Sequence, residues 1–155
     1  MSEESRYDLP DLAAMERLGA AIADALRPGD VIALEGGLGA GKTTLARAII
    51  AALGYAGEVP SPTFTIIETY DAPPLRVPVA HADFYRLEHP EEAQEIGLDD
   101  YRDGAALIAE WPDHAGGFAH ESACLSIRLE TVSKSEDAGR IAIARSGPDW
   151  LGRLP

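Results

Sequence analysis

The chain has 155 residues, 46% of them hydrophobic, a length that suits a single domain over residues 1–155 burying roughly two-thirds of its unfolded surface. Thirteen basic residues against twenty-six acidic ones give a formal charge of −13, which repels polyphosphate backbones at long range and argues against strong direct binding of nucleic acid. No run of eighteen apolar residues exists, and the opening "MSEESRYDLP" lacks a basic segment followed by an apolar one, so a cytoplasmic protein with no membrane contact is expected.

Taken in chain order, "PDLAAMERLGAAIADALRPGD" spaces its apolar residues as a helix does, with Asp8 or Asp11 able to cap its start and Pro28-Gly29 to end it. "DVIALEG" is too short for a helix and reads as a buried strand. "KTTLARAIIAALG" follows as a helix closed by Gly54. "FTIIETYD" and "LRVPVAHADF" read as two strands of a hairpin joined at residues 71–74. "PEEAQEIG" carries Pro90 for a first helical turn and Gly97 for its end. "ALIAEWP" is a further buried strand stopped by Pro112, and "ACLSIRLETV" with "RIAIARS" suggests two more strands around a turn at residues 137–139. The order is mixed α/β, a strand, loop and helix at the centre with antiparallel strands around them.

Cys124, the one cysteine, sits in an apolar alternation and reads as a small buried hydrophobe. His81, His89, His114 and His120 have no metal-ligand spacing, so a structural zinc site is not expected.

"GGLGAGKT", residues 36–43, matches G-x-x-x-x-G-K-[ST] in full, directly after a predicted strand and before a predicted helix. Glycines at 36, 39 and 41 allow a backbone curl whose N–H groups point at phosphate oxygens, and the helix start adds its positive dipole end. The nucleotide cradle therefore comprises Gly36, Gly37, Leu38, Gly39, Ala40, Gly41, Lys42, Thr43 and Thr44. Lys42 would reach the β- and γ-phosphates, and the Thr43 hydroxyl would bind Mg²⁺. Asp83 and Glu110 end apolar strands, where ligand-facing groups lie in open α/β sheets, and at least one of them should complete the metal or water site. A guanine-reading N-K-x-D segment is absent, which favours ATP. A small-molecule kinase would need a clustered-arginine lid, and the eleven arginines are scattered singly.

"EGGLGAGKTTLAR", "SPTFTIIETY", "HADFYRL", "IGLDDY" and "IAEWP", in this order and at these spacings, resemble the TsaE family of bacterial ATPases, also called YjeE. The resemblance runs from about Pro10 to about Arg140. It implies an α/β fold, a three-layer P-loop NTPase sandwich whose central sheet is largely parallel with antiparallel strands at its sides. It also implies a cytoplasmic ATPase needed for the threonylcarbamoyladenosine modification at position 37 of tRNA. Such a protein acts with the proteins TsaD and TsaB and meets tRNA only through them. By matching position, Lys42 and Thr43 bind phosphate and Mg²⁺, Glu110 resembles a second metal ligand, Asp83 a Walker-B-like aspartate, and Trp111 a functionally important tryptophan. The adenine is expected near Asp11, Leu12 and Arg140. Glu35 and Gly37 depart from the G-D-L pattern frequent in relatives, which removes a side-chain contact and keeps the backbone cradle.

In P-loop enzymes a hydroxyl-bearing loop between the first helix and the next strand senses the γ-phosphate, and Ser61 and Thr63 occupy that place, with Pro60 and Pro62 stiffening it. Lys42, Thr63, Asp83 and Glu110 are thus the candidate catalytic set, and Ser61, Thr63 and Trp111 the candidate switch or partner residues. A non-hydrolysing, nucleotide-gated regulatory module is the alternative reading, and a small-molecule kinase a more distant one.

Overall fold

Asp11 settles the first helix. Its backbone is extended and its side chain accepts the Ala14 N–H at 2.9 Å, so it, rather than Asp8, caps helix α1 (Leu12–Ala25). The face carrying Ala14, Met15, Leu18, Ile22 and Ala23 is buried. At the other end the orphan carbonyls are taken by side chains from remote parts of the chain. Arg76 donates to Ala23 and Leu26, and Arg153 donates to Ala25 while pairing with Asp30 at 2.5 Å.

The computed structural model describes residues 3–62, 66–132 and 139–154, so Thr63 lies outside the described residues, as does most of the expected turn at 137–139. Seven strands form one sheet: β1 (Glu3–Leu9), β2 (Val31–Glu35), β3 (Ile67–Tyr70), β4 (Val79–Asp83), β5 (Ala106–Glu110), β6 (Cys124–Thr131) and β7 (Arg140–Ser146). Their spatial order is β1-β7-β6-β2-β5-β4-β3. The four central strands, β6, β2, β5 and β4, are mutually parallel. Antiparallel β3 borders them on one side, and antiparallel β7 and β1 on the other.

Helix α1 and helix α2 (Lys42–Ala52) cover one face, packing on Ile32, Leu34, Ile108, Leu125 and Ile127. The other face presents Val31, Ala33, Ala82, Leu107 and Ala109 to Ala93 of α3 (Glu92–Glu95), Leu98 of α4 (Leu98–Arg102) and Phe118. This is the three-layer arrangement that burying both faces of a parallel sheet requires.

Three local readings change. The acidic opening segment, to which the sequence pattern assigns no element, is a strand: residues 3–9 pair with β7 along their length, and Tyr7 and Leu9 pack inward while Glu4, Arg6 and Asp8 point out. Its polar outer face suits an edge strand. The β3–β4 hairpin has a longer connection than residues 71–74, because β4 starts only at Val79, immediately after Pro78, which has no N–H to give a ladder. After α3 the chain forms a second short helix, α4, entered through Gly97 in a left-handed conformation. No helix among the described residues is long and apolar enough to cross a membrane.

Helices α1 and α2 touch at Gly19, where a Cβ would stand 2.5 Å from the Ala48 Cβ and 3.0 Å from its carbonyl carbon. Overpacking of this kind costs about 1–3 kcal/mol, and the better helix propensity of alanine offsets about 1 kcal/mol of it. Gly19→Ala should therefore lower the urea midpoint with an unchanged m-value, and an unshifted midpoint would mean that the two helices simply slide apart. Cys124 is 2% exposed, and burial pushes its thiol above the usual range. It should resist a thiol reagent in the native protein and react stoichiometrically once unfolded.

Candidate nucleotide-binding site

Strand β2 delivers the chain to the phosphate loop with its apolar residues buried on both faces. At Gly36 the backbone turns with φ 144°, and a Cβ there would lie 2.6 Å from the carbonyl oxygen of Leu129. Only glycine fits. Gly41, at φ 106°, leads directly into α2 and supplies no side-chain cap, so the first N–H groups of α2 are left for a ligand. Ala40 is buried beneath the curl, while Leu38 stands out at its tip, 77% exposed.

Lys42 is 5% exposed and folds back into the loop. Its Nζ donates to the carbonyl oxygens of Gly36 and Gly37 at 2.7 and 2.8 Å, and lies 4.4 Å from the centroid of the Trp111 ring. Burial holds its ammonium group below the usual lysine range, against the opposing pull of Glu110 and Asp83.

The two carboxylates reach the site through strand register. Asp83 and Glu110 end the neighbouring parallel strands β4 and β5 as direct partners, both buried and both on the face that carries α2. Glu110 Oε1 accepts the Thr43 hydroxyl at 2.7 Å, and its Oε2 lies 2.7 Å from His81 Nε2. Asp83 accepts the Tyr85 N–H at 3.0 Å, which turns the chain away from the strand end. After Glu110 the chain passes through Trp111 in the left-handed region (φ 54°, ψ 53°), a strain of about 1–3 kcal/mol for a non-glycine residue, and enters a 3-10 helix at Pro112. The Trp111 ring packs on Tyr85 and His114 at 4.9 and 5.5 Å, and His114 in turn bonds the carbonyls of Phe84 and Tyr85.

A cavity of about 280 Å³ is lined by Leu38, Gly39, Gly41, Lys42, Thr43, Thr44, Ser61, Asp83, Glu110 and Trp111. The segment carrying Ser61 is tethered upstream by Arg47 of α2, whose Nε donates to the Val59 carbonyl at 2.8 Å. A second cavity, of about 250 Å³, shares Gly39, Gly41 and Thr44 with the first and brings in Asp11, Leu12, Met15 and Arg140. Arg140 reaches across to donate to the Gly39 carbonyl at 3.2 Å. Thus the described candidates from six separate segments line two cavities that meet the phosphate loop at Gly39, Gly41 and Thr44.

His81, like Met15, Tyr85 and His114, is a residue at this site to which sequence spacing assigns no role. Its signal was present: Val79, His81 and Asp83 alternate on one face of β4, and a histidine between a core valine and a candidate ligand faces the same side as both. Among the described residues no group of three or more His, Cys, Asp and Glu side chains is arranged to hold a metal ion by itself.

A family model described as threonylcarbamoyl adenosine biosynthesis protein TsaE matches residues 9–141. Proteins named tRNA threonylcarbamoyladenosine biosynthesis protein TsaE are similar in sequence. That of Bacillus subtilis is 46% identical over 99 residues, 63% of this chain and 58% of the relative. That of Haemophilus influenzae is 37% identical over 121 residues, 74% of this chain and 75% of the relative. That of Synechocystis is 38% identical over 119 residues, 73% and 74% of the two chains. The match to the Bacillus subtilis protein thus spans less than two-thirds of that relative's length. The crystal structure of Bacillus subtilis YdiB superposes with a TM-score of 0.76 at 26% identity, covering 96% of this chain and 89% of that one. With the phosphate loop in place and both the family model and the superposed structure covering most of its length, the chain is a P-loop α/β protein that belongs to the TsaE family, whose members serve threonylcarbamoyladenosine biosynthesis.

Proposed function

We propose that the protein is a cytoplasmic ATPase of a single domain that assists tRNA threonylcarbamoyladenosine formation, working with TsaD and TsaB and touching tRNA only through them. The observation that carries the ATPase reading is the closed set around α2's first turn: Lys42 inside the phosphate loop, Thr43 bonded to Glu110 at 2.7 Å, and Asp83 beside Glu110 in register. We assign the adenine and ribose to the second cavity, beside Asp11, Leu12 and Arg140, and what supports this is that its lining includes Gly39, Gly41 and Thr44 of the phosphate-loop region.

The donors Thr43, Glu110 and Asp83 are all oxygens, two of them acidic, which suits Mg²⁺ and not a softer ion. Bound there, Mg²⁺ would neutralise charge on the β- and γ-phosphates. The chain's own part begins with Lys42, which must exchange the Gly36 and Gly37 carbonyls for phosphate oxygens. Thr43 can keep its O–H on Glu110 while an oxygen lone pair faces the cation. One carboxylate of the Asp83–Glu110 pair orients the attacking water by accepting its hydrogen bond. The water oxygen joins the γ-phosphorus, the bond to the ADP oxygen breaks, and the water proton leaves with inorganic phosphate or the carboxylate.

A non-hydrolysing, nucleotide-gated module is the second reading, favoured by the fact that Lys42 is already engaged by its own loop and by Trp111. Variants separate the two. Lys42→Ala should abolish both nucleotide binding and turnover. Asp83→Asn and Glu110→Gln should bind ATP within about tenfold of the parent while losing about 10²–10⁴ in turnover with TsaD and TsaB present. If these carboxylate variants sustain tRNA modification in cells at the parental level, binding alone is the function.

The buried Lys42 predicts a pH dependence with a definite sign. Burial favours its neutral form in the free protein, and bound phosphate favours the charged form, so binding raises its pKa and takes up a proton. ADP affinity, measured calorimetrically from neutral pH upward, should be full below the free-protein pKa of Lys42 and fall as pH rises through it. An affinity that climbs over this range would contradict the assigned role.

A further inference from the structure

We propose that His81 is a positioning residue for the nucleotide site, holding the Glu110 carboxylate from behind so that its other oxygen faces Thr43. The inference deepens the ATPase reading and rests on it for the catalytic consequence, while the geometric claim stands on the chain alone.

Glutamate has three rotatable side-chain bonds, and at the end of a strand it has many directions open to it. Here it has one. Its Oε1 takes the Thr43 hydroxyl at 2.7 Å and its Oε2 takes His81 Nε2 at 2.7 Å, with both the imidazole and the carboxylate essentially out of solvent. An ionised carboxylate only accepts, so the ring proton of this bond sits on Nε2. Nδ1 is then a buried nitrogen, and it finds no partner among the described residues. Leaving it unpartnered carries a desolvation cost that an aliphatic side chain would avoid. The neighbours on the same face of the two strands, Val79, Ile108 and Ala106, are apolar and belong to the core that α2 covers. Packing alone would be served better by leucine or valine at position 81. What histidine adds is a rigid donor, fixed by a strand backbone, aimed at Glu110.

The arrangement matters because the Thr43 hydroxyl is a single rotatable donor whose oxygen must also serve the metal. A carboxylate held by Thr43 alone is free to swing about its own side-chain bonds. Held by His81 as well, it keeps its place, in the way that outer hydrogen bonds orient the ligands of metal sites generally. The requirement also explains a feature of sequence order: the histidine precedes Asp83 by two residues, so one strand presents both the support and its neighbouring acid on one face.

The test uses the full chain with His81→Leu, which keeps the volume and removes the donor, and His81→Gln, which restores an N–H at about the reach of Nε2. Crystal structures without nucleotide should show Glu110 turned away from Thr43 in His81→Leu and retained in His81→Gln. Binding of ADP without Mg²⁺ should stay within about twofold in both, reporting an intact loop. The Mg²⁺ concentration for half-maximal binding of a non-hydrolysable ATP analogue should rise tenfold or more in His81→Leu, with kcat falling by a similar factor, KM nearly unchanged, and most of both recovered in His81→Gln. Glu110 still on Thr43 in the leucine variant, or equal losses in the leucine and glutamine variants, overturns the proposal. Should the parent protein itself fail to hydrolyse ATP, the ATPase reading falls, and the Glu110 position in the two variant structures still decides the role of His81.

Discussion

Between the end of β2 and the first turn of α2 the chain has six residues in which to reverse direction, and it must do so against the backbone of β6. The contact between the Gly36 position and the Leu129 carbonyl leaves no volume for a side chain, and the carbonyls of Gly36 and Gly37 turn inward onto Lys42. Everything else at the site is arranged around that tight reversal. Because β2 is flanked by parallel β5, and β5 by parallel β4, the strand ends next to the reversal are those of Glu110 and Asp83. Parallel pairing brings like ends together, so acids at the carboxyl ends of two strands converge beside a loop at the carboxyl end of a third.

The charged groups of the site pair with one another and with the backbone. Lys42 bonds its own loop, Thr43 bonds Glu110, and Asp83 takes a backbone N–H. The Lys42 bonds use the donors that phosphate oxygens would take, so polyanion binding there exchanges partners instead of creating them from nothing. The cost of keeping this polar set buried is met by pairing, with His81 and the Trp111 cluster as the outer supports. Strain at Trp111 sits one residue beyond Glu110, where the chain must leave the strand abruptly for the 3-10 helix.

Much of the local structure could be read from residues alone. The phosphate loop, the two main helices and the buried strands follow from turn residues and hydrophobic period, since each depends on its nearest neighbours in sequence. Strand β1 did not, because four of its seven residues are charged and its pairing is supplied by β7, 131 to 143 positions away. The start of β4 was placed too early because its first apolar residues, Leu75 and Val77, are buried in the connection and not in the ladder. The short α4 depends on Gly97 and on Leu98 docking into the second core, neither of which has a period long enough to register.

Residue identities by themselves determined the family, the glycine curl and the candidate acids, for these are properties of spacing and side-chain type, and left Asp8 and Asp11 as equal candidates for the first helix cap. Which face each acid takes, and which acid touches which residue, depended on strand register, and register is a long-range quantity. Thr43 meets Glu110 across 67 positions, and His81 meets it across 29. Only the folded sheet brings those groups to hydrogen-bonding distance, because hydrogen bonds between strands, and not the order of residues along the chain, set which side chains are neighbours.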